Sequence, residues 1–196
     1  MMLNLRCRCG QLRGRVDTAR VAARAVCYCK DCQAYGRFLG GEGILDAAGG
    51  TEVAATLPAA VRFEAGVEHL ACMSLSPKGL NRWYAGCCRT PIGNTPREPR
   101  TAYVGLVRAC LDAPDAELDR ALGASVCRAE TQSAQAPVAS TGLRTARAVL
   151  EIGWMLMKAR LGGGYRDNPF FRPGTDEPVQ APQVLSLEER KALTPP

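Results

Sequence analysis

Three cysteines, Cys27, Cys29 and Cys32, lie within six residues in the segment C-Y-C-K-D-C, and we call them the triplet. A tight loop with this spacing can turn all three thiols toward one ion. Zinc takes thiolate ligands in tetrahedral geometry at about 2.3 Å. Only three ligands are local, so two interpretations stay open. Either the fourth position is free for water or substrate, as a catalytic zinc requires, or a distant cysteine closes a structural site. We favour the open site.

A second set of four cysteines is divided between two distant parts of the chain, and we call it the quartet. Cys7 and Cys9 form a C-x-C-G turn, in which Gly10 permits the chain to reverse. Cys87 and Cys88 are adjacent and lie far along the sequence. If these residues bind one ion, they tie the ends of a domain together and the metal stabilises it. Alternatively, Cys7 and Cys9 are small core residues.

The chain has 196 residues, ten of them cysteine, and this composition bears on its compartment. Its first residues, MMLNLRCRCG, lack an apolar stretch long enough for a secretory signal, which predicts a reducing, cytoplasmic location and metal binding rather than disulfides. No apolar run reaches the roughly 18–20 residues of a membrane span. The formal net charge is +6, but lysines and arginines are scattered without aromatic residues, which disfavours nucleic acid as a partner.

Short alternating runs separated by turn residues indicate a mainly β domain over residues 1–108. Strand patterns are found at residues 11–16, 61–65, 68–73, 80–85 and 102–107. A domain of this size with few aromatic residues has a thin core. We therefore expect bound metal to contribute to its stability.

Residues 109–196 differ in character, and we predict a helical extension with a proline-rich tail. Helical periodicity is found at residues 113–122 and 141–161, with a further short helix at residues 186–193. The longest helix has three interpretations: it packs on the β domain, it forms a homodimer, or it lies on a membrane surface. We favour packing, because Glu151 and the modest helix length argue against a membrane.

Three motifs together resemble a known family. They are the C-x-C-G turn, the C-x-C-x-x-C triplet, and a later segment that contains Tyr84, Cys88 and the pair Thr90-Pro91. Over residues 5–108 the chain resembles the glutathione-dependent formaldehyde-activating enzyme family, which also includes centromere protein V. The resemblance implies a tent-like, zinc-binding β fold with one structural zinc and one more exposed zinc.

The same resemblance implies roles for individual cysteines. Cys7 and Cys9 correspond to structural ligands, which the family completes with a later C-x-x-C pair. The triplet corresponds to the ligands of the reactive zinc, where a thiol such as glutathione can reach the metal. One or two zinc ions per chain are therefore expected.

One segment departs from the family pattern. The family has aromatic-C-x-x-C-G-T, whereas this chain reads A-G-C-C-R-T, with Ala85 in place of the first cysteine and Arg89 in place of the glycine. Three alternatives follow: Cys87 and Cys88 both bind the structural zinc, or Cys72 supplies the missing ligand, or that zinc is absent. Adjacent cysteines on one tetrahedral ion would introduce strain.

The resemblance implies a zinc-dependent enzyme of the carbon–sulfur lyase type, acting on a glutathione or other thiol adduct of a small aldehyde. Near the triplet, Asp31 is the candidate for proton transfer, and Tyr28, Lys30 and Arg37 are candidates to bind the substrate. One alternative is a non-catalytic zinc module that binds a protein or nucleic acid. Another is a redox or metal-handling thiol protein. We favour the enzyme.

Overall fold

The computed structural model describes residues 1–194 and is mainly β, as predicted. Its strands are β1 (Met2–Arg6), β2 (Arg13–Asp17), β3 (Ala23–Cys27), β4 (Thr51–Thr56), β5 (Val61–Ala65), β6 (Leu70–Ser74), β7 (Asn81–Ala85), β8 (Thr90–Thr95), β9 (Val104–Val107), β10 (Val126–Ala129) and β11 (Gln183–Val184). Its α-helices are α1 (Lys30–Phe38), α2 (Asp115–Leu122), α3 (Gly142–Leu161) and α4 (Leu187–Leu193).

The strands form two sheets. The smaller sheet has the antiparallel order β1-β2-β5, and the larger has the order β10-β3-β4-β9-β8-β7-β6-β11. The larger sheet is antiparallel except at its edges, where β10 runs parallel to β3 and β11 runs parallel to β6.

The core has two clusters: one joins the two sheets, and the other packs α1 on the larger sheet. In β1 the side chains of Leu3 and Leu5 are buried and their neighbours are exposed, as period-two alternation predicts. These leucines join a cluster around Trp83, which is fully buried. Phe170 packs on Trp83 with ring centroids 5.2 Å apart, so the C-terminal part of the chain completes the core of the β domain.

The second half of the chain is built into the larger sheet. Helices α2 and α3 lie where periodicity predicts helices, but the same half also provides both edge strands, β10 and β11. Helix α4 follows Ser186, whose side chain caps it, and packs against α1. Residues 109–194 therefore contact α1, the helix that contains Cys32 of the triplet.

Helix α3 packs on the body through one side only. Ala148 and Ala159 are buried, whereas Leu143, Leu150 and Leu161 are 92%, 74% and 81% exposed. Packing on the β domain thus accounts for one face, and a homodimer through the other face stays a prediction. Over residues 1–194, no helix has the length and apolar character needed to cross a bilayer.

Candidate metal centres

The four sulfur atoms of the quartet meet between the β1–β2 turn and the β7–β8 turn. The Sγ of Cys9 lies 3.5 Å from that of Cys7 and 3.3 Å from that of Cys87. The Cys7–Cys87 and Cys87–Cys88 Sγ separations are both 3.9 Å. Zinc–sulfur bonds of about 2.3 Å in a tetrahedron place sulfurs about 3.8 Å apart. The quartet therefore fits one tetrahedral ion.

The turn between β7 and β8 explains how adjacent cysteines both reach the group. Arg89 has a φ of +57°, a left-handed conformation, and its N–H donates to the carbonyl of Ala85 at 2.7 Å. Of the three alternatives at this segment, the structure has Cys87 and Cys88 together in the quartet. Cys72 lies instead in the hydrophobic core, 4% exposed, and burial raises its pKa to about 12.

The hydrogen bonds to the quartet sulfurs come from neutral donors, and the exposed guanidinium of Arg8 donates to the carbonyl of Cys88 at 2.9 Å. The N–H of Leu12 donates to Cys7 Sγ at 3.3 Å, and the Thr90 hydroxyl lies 3.1 Å from Cys88 Sγ. Thr90 is held in turn by the N–H of Arg8, at 3.0 Å. Burial raises the pKa of Cys88, but hydrogen bonds from Thr90 and the backbone outweigh burial and lower that pKa to about 6. Cys88 is thus available as a thiolate near neutral pH.

The triplet forms where β3 passes into α1. Cys27 ends the strand, Cys29 is the N-cap of the helix, and Cys32 lies in its first turn. The N–H of Cys32 donates to Cys29 Sγ at 3.3 Å, and all three sulfurs lie within 4.8 Å of one another. The local segment thus brings the three thiols together as predicted, through a two-residue connection between a strand and a helix. The positive end of the helix dipole favours thiolates here.

The triplet contains fewer donors than the quartet. Within residues 1–194 no fourth cysteine, histidine, aspartate or glutamate joins Cys27, Cys29 and Cys32. Three convergent thiols are a donor set that suits zinc, and three protein ligands leave one of four tetrahedral positions free. The residues fit a zinc ion with an open position.

Two residues that the sequence analysis missed lie beside the triplet. Arg82 on β7 is 3% exposed, and its guanidinium stacks 5.3 Å from the ring centroid of Tyr35. The pKa of Cys32 is well below its usual value, because Cys27 and Cys29 donate hydrogen bonds to its thiolate and Arg82 adds positive charge. The only sequence signal for Arg82 was a charged residue inside a strand that is otherwise buried.

Tyr103 is the second such residue, immediately before β9. Burial raises its pKa to about 12, and negative charge on Cys32 and Cys27 adds to the shift. The phenol therefore keeps its proton at neutral pH. Nothing in the local sequence distinguished Tyr103. Strand register places the start of β9 level with the start of β3, and the phenol extends over Gly105, which has no side chain to block it.

Comparison with known families covers nearly the whole chain. Residues 1–181 match a family model described as "Family of unknown function (DUF6151)". The chain belongs to this family. The matched region includes both cysteine groups and the whole of α3. A search of curated proteins finds no match.

In this DUF6151 chain the residues predicted to bind substrate have diverse surroundings. The Tyr28 hydroxyl donates to Asp46 at 3.0 Å, and the Tyr28 side chain is buried. Arg37 donates to the carbonyl of Leu193 at 3.0 Å, so α4 occupies its guanidinium. Lys30 is exposed at the start of α1. Substrate binding by these three residues stays a prediction.

Asp31, predicted to transfer protons, lies between two arginines. One carboxylate oxygen is 3.1 Å from Arg190 on α4, and the other is 3.9 Å from Arg82. The carboxylate is 46% exposed, so both ion pairs are open to solvent. Its role in proton transfer stays a prediction.

Proposed function

We propose that this protein is a zinc-dependent enzyme that forms or cleaves the carbon–sulfur bond of a thiol–aldehyde adduct, with glutathione as the model thiol. The supporting observation is the triplet: three thiol donors converge without a fourth protein ligand within residues 1–194. The proposal extends the resemblance to the formaldehyde-activating enzyme family. In it, the quartet holds a structural zinc and the triplet a reactive one.

A zinc ion held by Cys27, Cys29 and Cys32 supplies one kind of chemistry, because it lowers the pKa of a substrate thiol and favours the nucleophilic thiolate. The cysteines themselves hold the ligand set rigid. Cys27 is fixed by the sheet, and Cys29 and Cys32 are joined by the N–H bond of the helix cap. The free position is thereby oriented before a substrate arrives.

The reaction needs a proton but no oxidant. In synthesis the thiolate sulfur bonds to the aldehyde carbon, the carbonyl π electrons move to oxygen, and that oxygen takes up a proton from water, which balances the proton released when the thiol became a thiolate. Cleavage is the reverse. Tyr103 keeps its proton at neutral pH, and negative charge on Cys32 and Cys27 raises its pKa, so it is our candidate to donate a hydrogen bond to the aldehyde oxygen. Lys30 at the exposed start of α1 can meet a glutathione carboxylate.

The experiment combines metal content with exchange chemistry. Zinc per chain is measured by elemental mass spectrometry for the wild type and Cys27→Ser, and the exchange between glutathione, formaldehyde and their adduct is followed by NMR. We expect two zincs and accelerated exchange for the wild type, and one zinc with no acceleration for Cys27→Ser. Cys72→Ala, which changes a buried thiol outside both groups, should retain both properties. Wild-type protein with two zincs and no accelerated exchange would overturn the enzyme.

A second candidate function is a zinc-stabilised interaction module. The observation that favours it is the apolar face of α3, where Leu150 and Trp154 are 74% and 56% exposed. Exposed apolar faces of this kind mark docking surfaces for protein partners. This function predicts that Leu150→Glu abolishes partner binding, whereas loss of the triplet metal leaves partner binding unchanged. The enzyme proposal predicts that Leu150→Glu leaves the exchange activity unchanged and that loss of the triplet metal abolishes it.

A further inference from the structure

Arg82 is a buried cation with too few partners. Its side chain is 3% exposed, and its Nη1 has no hydrogen-bond partner within the described residues. Its nearest carboxylate is that of Asp31, 3.9 Å from Nη2, and this carboxylate is 46% exposed and closer to Arg190. A buried charge without a matching partner is strongly destabilising. The structure therefore implies another source of negative charge beside Arg82.

The triplet supplies that charge. Arg82 contacts Asp31 and Tyr35 on α1, and Cys32 lies between these two residues on the same helix. Three thiolates around a divalent ion carry one net negative charge. A buried guanidinium at this position neutralises the complex, and it also offsets part of the charge that an anionic fourth ligand would add.

The quartet provides a contrast within the same chain. Its sulfurs accept hydrogen bonds from neutral groups, the N–H of Leu12 and the hydroxyl of Thr90, and the cation nearby, Arg8, is exposed and already donates to the carbonyl of Cys88 at 2.9 Å. A site with four thiolate ligands has no free position for a further ligand. A buried cation is thus found beside the group that has a free position.

We propose that Arg82 is the counter-ion of the triplet and makes its free position select anionic ligands, thiolates above all, over neutral donors such as imidazole. The inference rests on the proposed function, which it deepens by naming the determinant of ligand class. Arg82 is a positioning residue, since it acts through the thiolates and does not contact the substrate.

The test uses full-length protein loaded with Co²⁺, whose visible absorption reports a new ligand at the triplet. The quartet, with four protein ligands, gives a constant background. Three probes are titrated: 2-mercaptoethanol, whose outer end is neutral, azide as an anion without sulfur, and imidazole as a neutral donor. The variants are Arg82→Gln, Arg82→Lys and the matched control Arg190→Gln, which removes the other cation beside Asp31.

We expect Arg82→Gln to weaken mercaptoethanol and azide binding by about tenfold or more, with imidazole affinity within about twofold of wild type. Arg82→Lys keeps the charge and should retain most of the preference, and Arg190→Gln should change it little. Equal losses for all three probes, or no loss for either anion, would overturn the role of Arg82. If Arg82→Gln does not fold, Arg82→Met keeps the stem packed on Tyr35 without the charge and replaces it.

The probes separate this proposal from the proposed function. Wild-type protein that binds azide in an Arg82-dependent way but no thiol contradicts the thiol enzyme and supports the counter-ion. Equal thiol affinity in the wild type and in Arg82→Gln contradicts only the counter-ion. Wild-type protein that binds neither anion overturns both.

Discussion

The quartet and the triplet both consist of cysteines, but the two groups differ in how far apart their residues lie in the sequence. The quartet joins two turns that lie far apart in sequence, with Cys7 and Cys87 eighty positions apart. The triplet comes from one local segment. Cys9 and Cys87 are exposed, whereas Cys32 of the triplet is buried, so the group that is complete is also the one nearer to solvent. The number of protein ligands, rather than exposure, therefore determines which group can accept a further ligand.

The surroundings of the two groups differ in charge as well. The Thr90 hydroxyl supports the quartet and the arginine beside it, Arg8, is exposed to solvent, whereas the arginine beside the triplet is buried. Long-range closure stabilises a fold, because metal binding then restrains distant parts of the chain. A local group restrains little of the chain and so contributes less to the stability of the fold. The charges around such a group can instead determine which ligand it binds.

The largest expected effect is the loss of the quartet. Cys88→Ser should lower the free energy of unfolding by about 3–5 kcal/mol, because a metal that links two distant turns is lost. Cys27→Ser should cost less, about 2 kcal/mol, because its group is local and the cost comes mainly from leaving the buried Arg82 without its counter-charge. Urea unfolding of the two variants beside the wild type measures both values. A larger cost for Cys27→Ser would reverse the comparison.

Metal removal should distinguish the groups by rate. A chromogenic chelator added to zinc-loaded protein should release zinc in two phases that differ by about tenfold or more, because the chelator can attack the free position of the triplet directly. Stopped-flow absorbance resolves the phases. Cys27→Ser should lack the fast phase, and its loss of the slow phase instead would contradict the assignment.

A cysteine outside both groups should control stability at alkaline pH. Burial raises the pKa of the Cys110 thiol to about 12 in the folded protein, from an ordinary value near 9. Because the folded-state pKa is raised, the contribution is complete below pH 9 and is lost as the pH rises from 9 to 12. At pH 10 the loss is about 1.4 kcal/mol.

Urea unfolding at pH 8 and pH 10 checks this value for the wild type and Cys110→Ala. The variant should lose about 1.4 kcal/mol less than the wild type between the two pH values. Equal losses in both proteins would show that Cys110 does not titrate in this range.

The smallest expected effect concerns the hydroxyl beside the quartet. Thr90→Val removes the contacts to Cys88 Sγ and to the Arg8 N–H. It should lower the free energy of unfolding by about 1 kcal/mol and the zinc affinity of the quartet by about tenfold. Urea unfolding and a zinc titration measure the two effects. Thr51→Val is the matched control, because the buried Thr51 hydroxyl has no partner within the described residues. Thr51→Val should therefore be neutral or stabilising. Equal costs for the two variants would assign no special role to Thr90.

Alternation explains only part of the agreement between predicted and observed strands. Residues 61–65 were predicted as a strand and form β5, and the pattern at residues 80–85 became β7, although nearly all of β7 is buried. Strands β4 and β8 are also nearly all buried and were missed, and so was β1, although its two faces differ. The edge strands β10 and β11 were missed because each is short and pairs in parallel with a distant strand.

The sequence by itself determined the chemistry that is available: seven cysteines in motif spacing, three of them local. Thiol donors in a C-x-C-x-x-C segment can approach one another in almost any local fold, since few residues separate them. The sequence left three alternatives for the structural site, because a choice among Cys72, Cys87 and Cys88 depends on the path of a turn.

Only the tertiary structure decided that choice and the surroundings of the triplet. The left-handed Arg89 brings Cys87 and Cys88 into one group, and the pairing of β7 with β6 and β8 places Arg82 beside α1. These positions depend on strand register, in which a shift by one residue moves a side chain to the opposite face. Residues fifty positions apart, such as Cys32 and Arg82, become neighbours through that register alone.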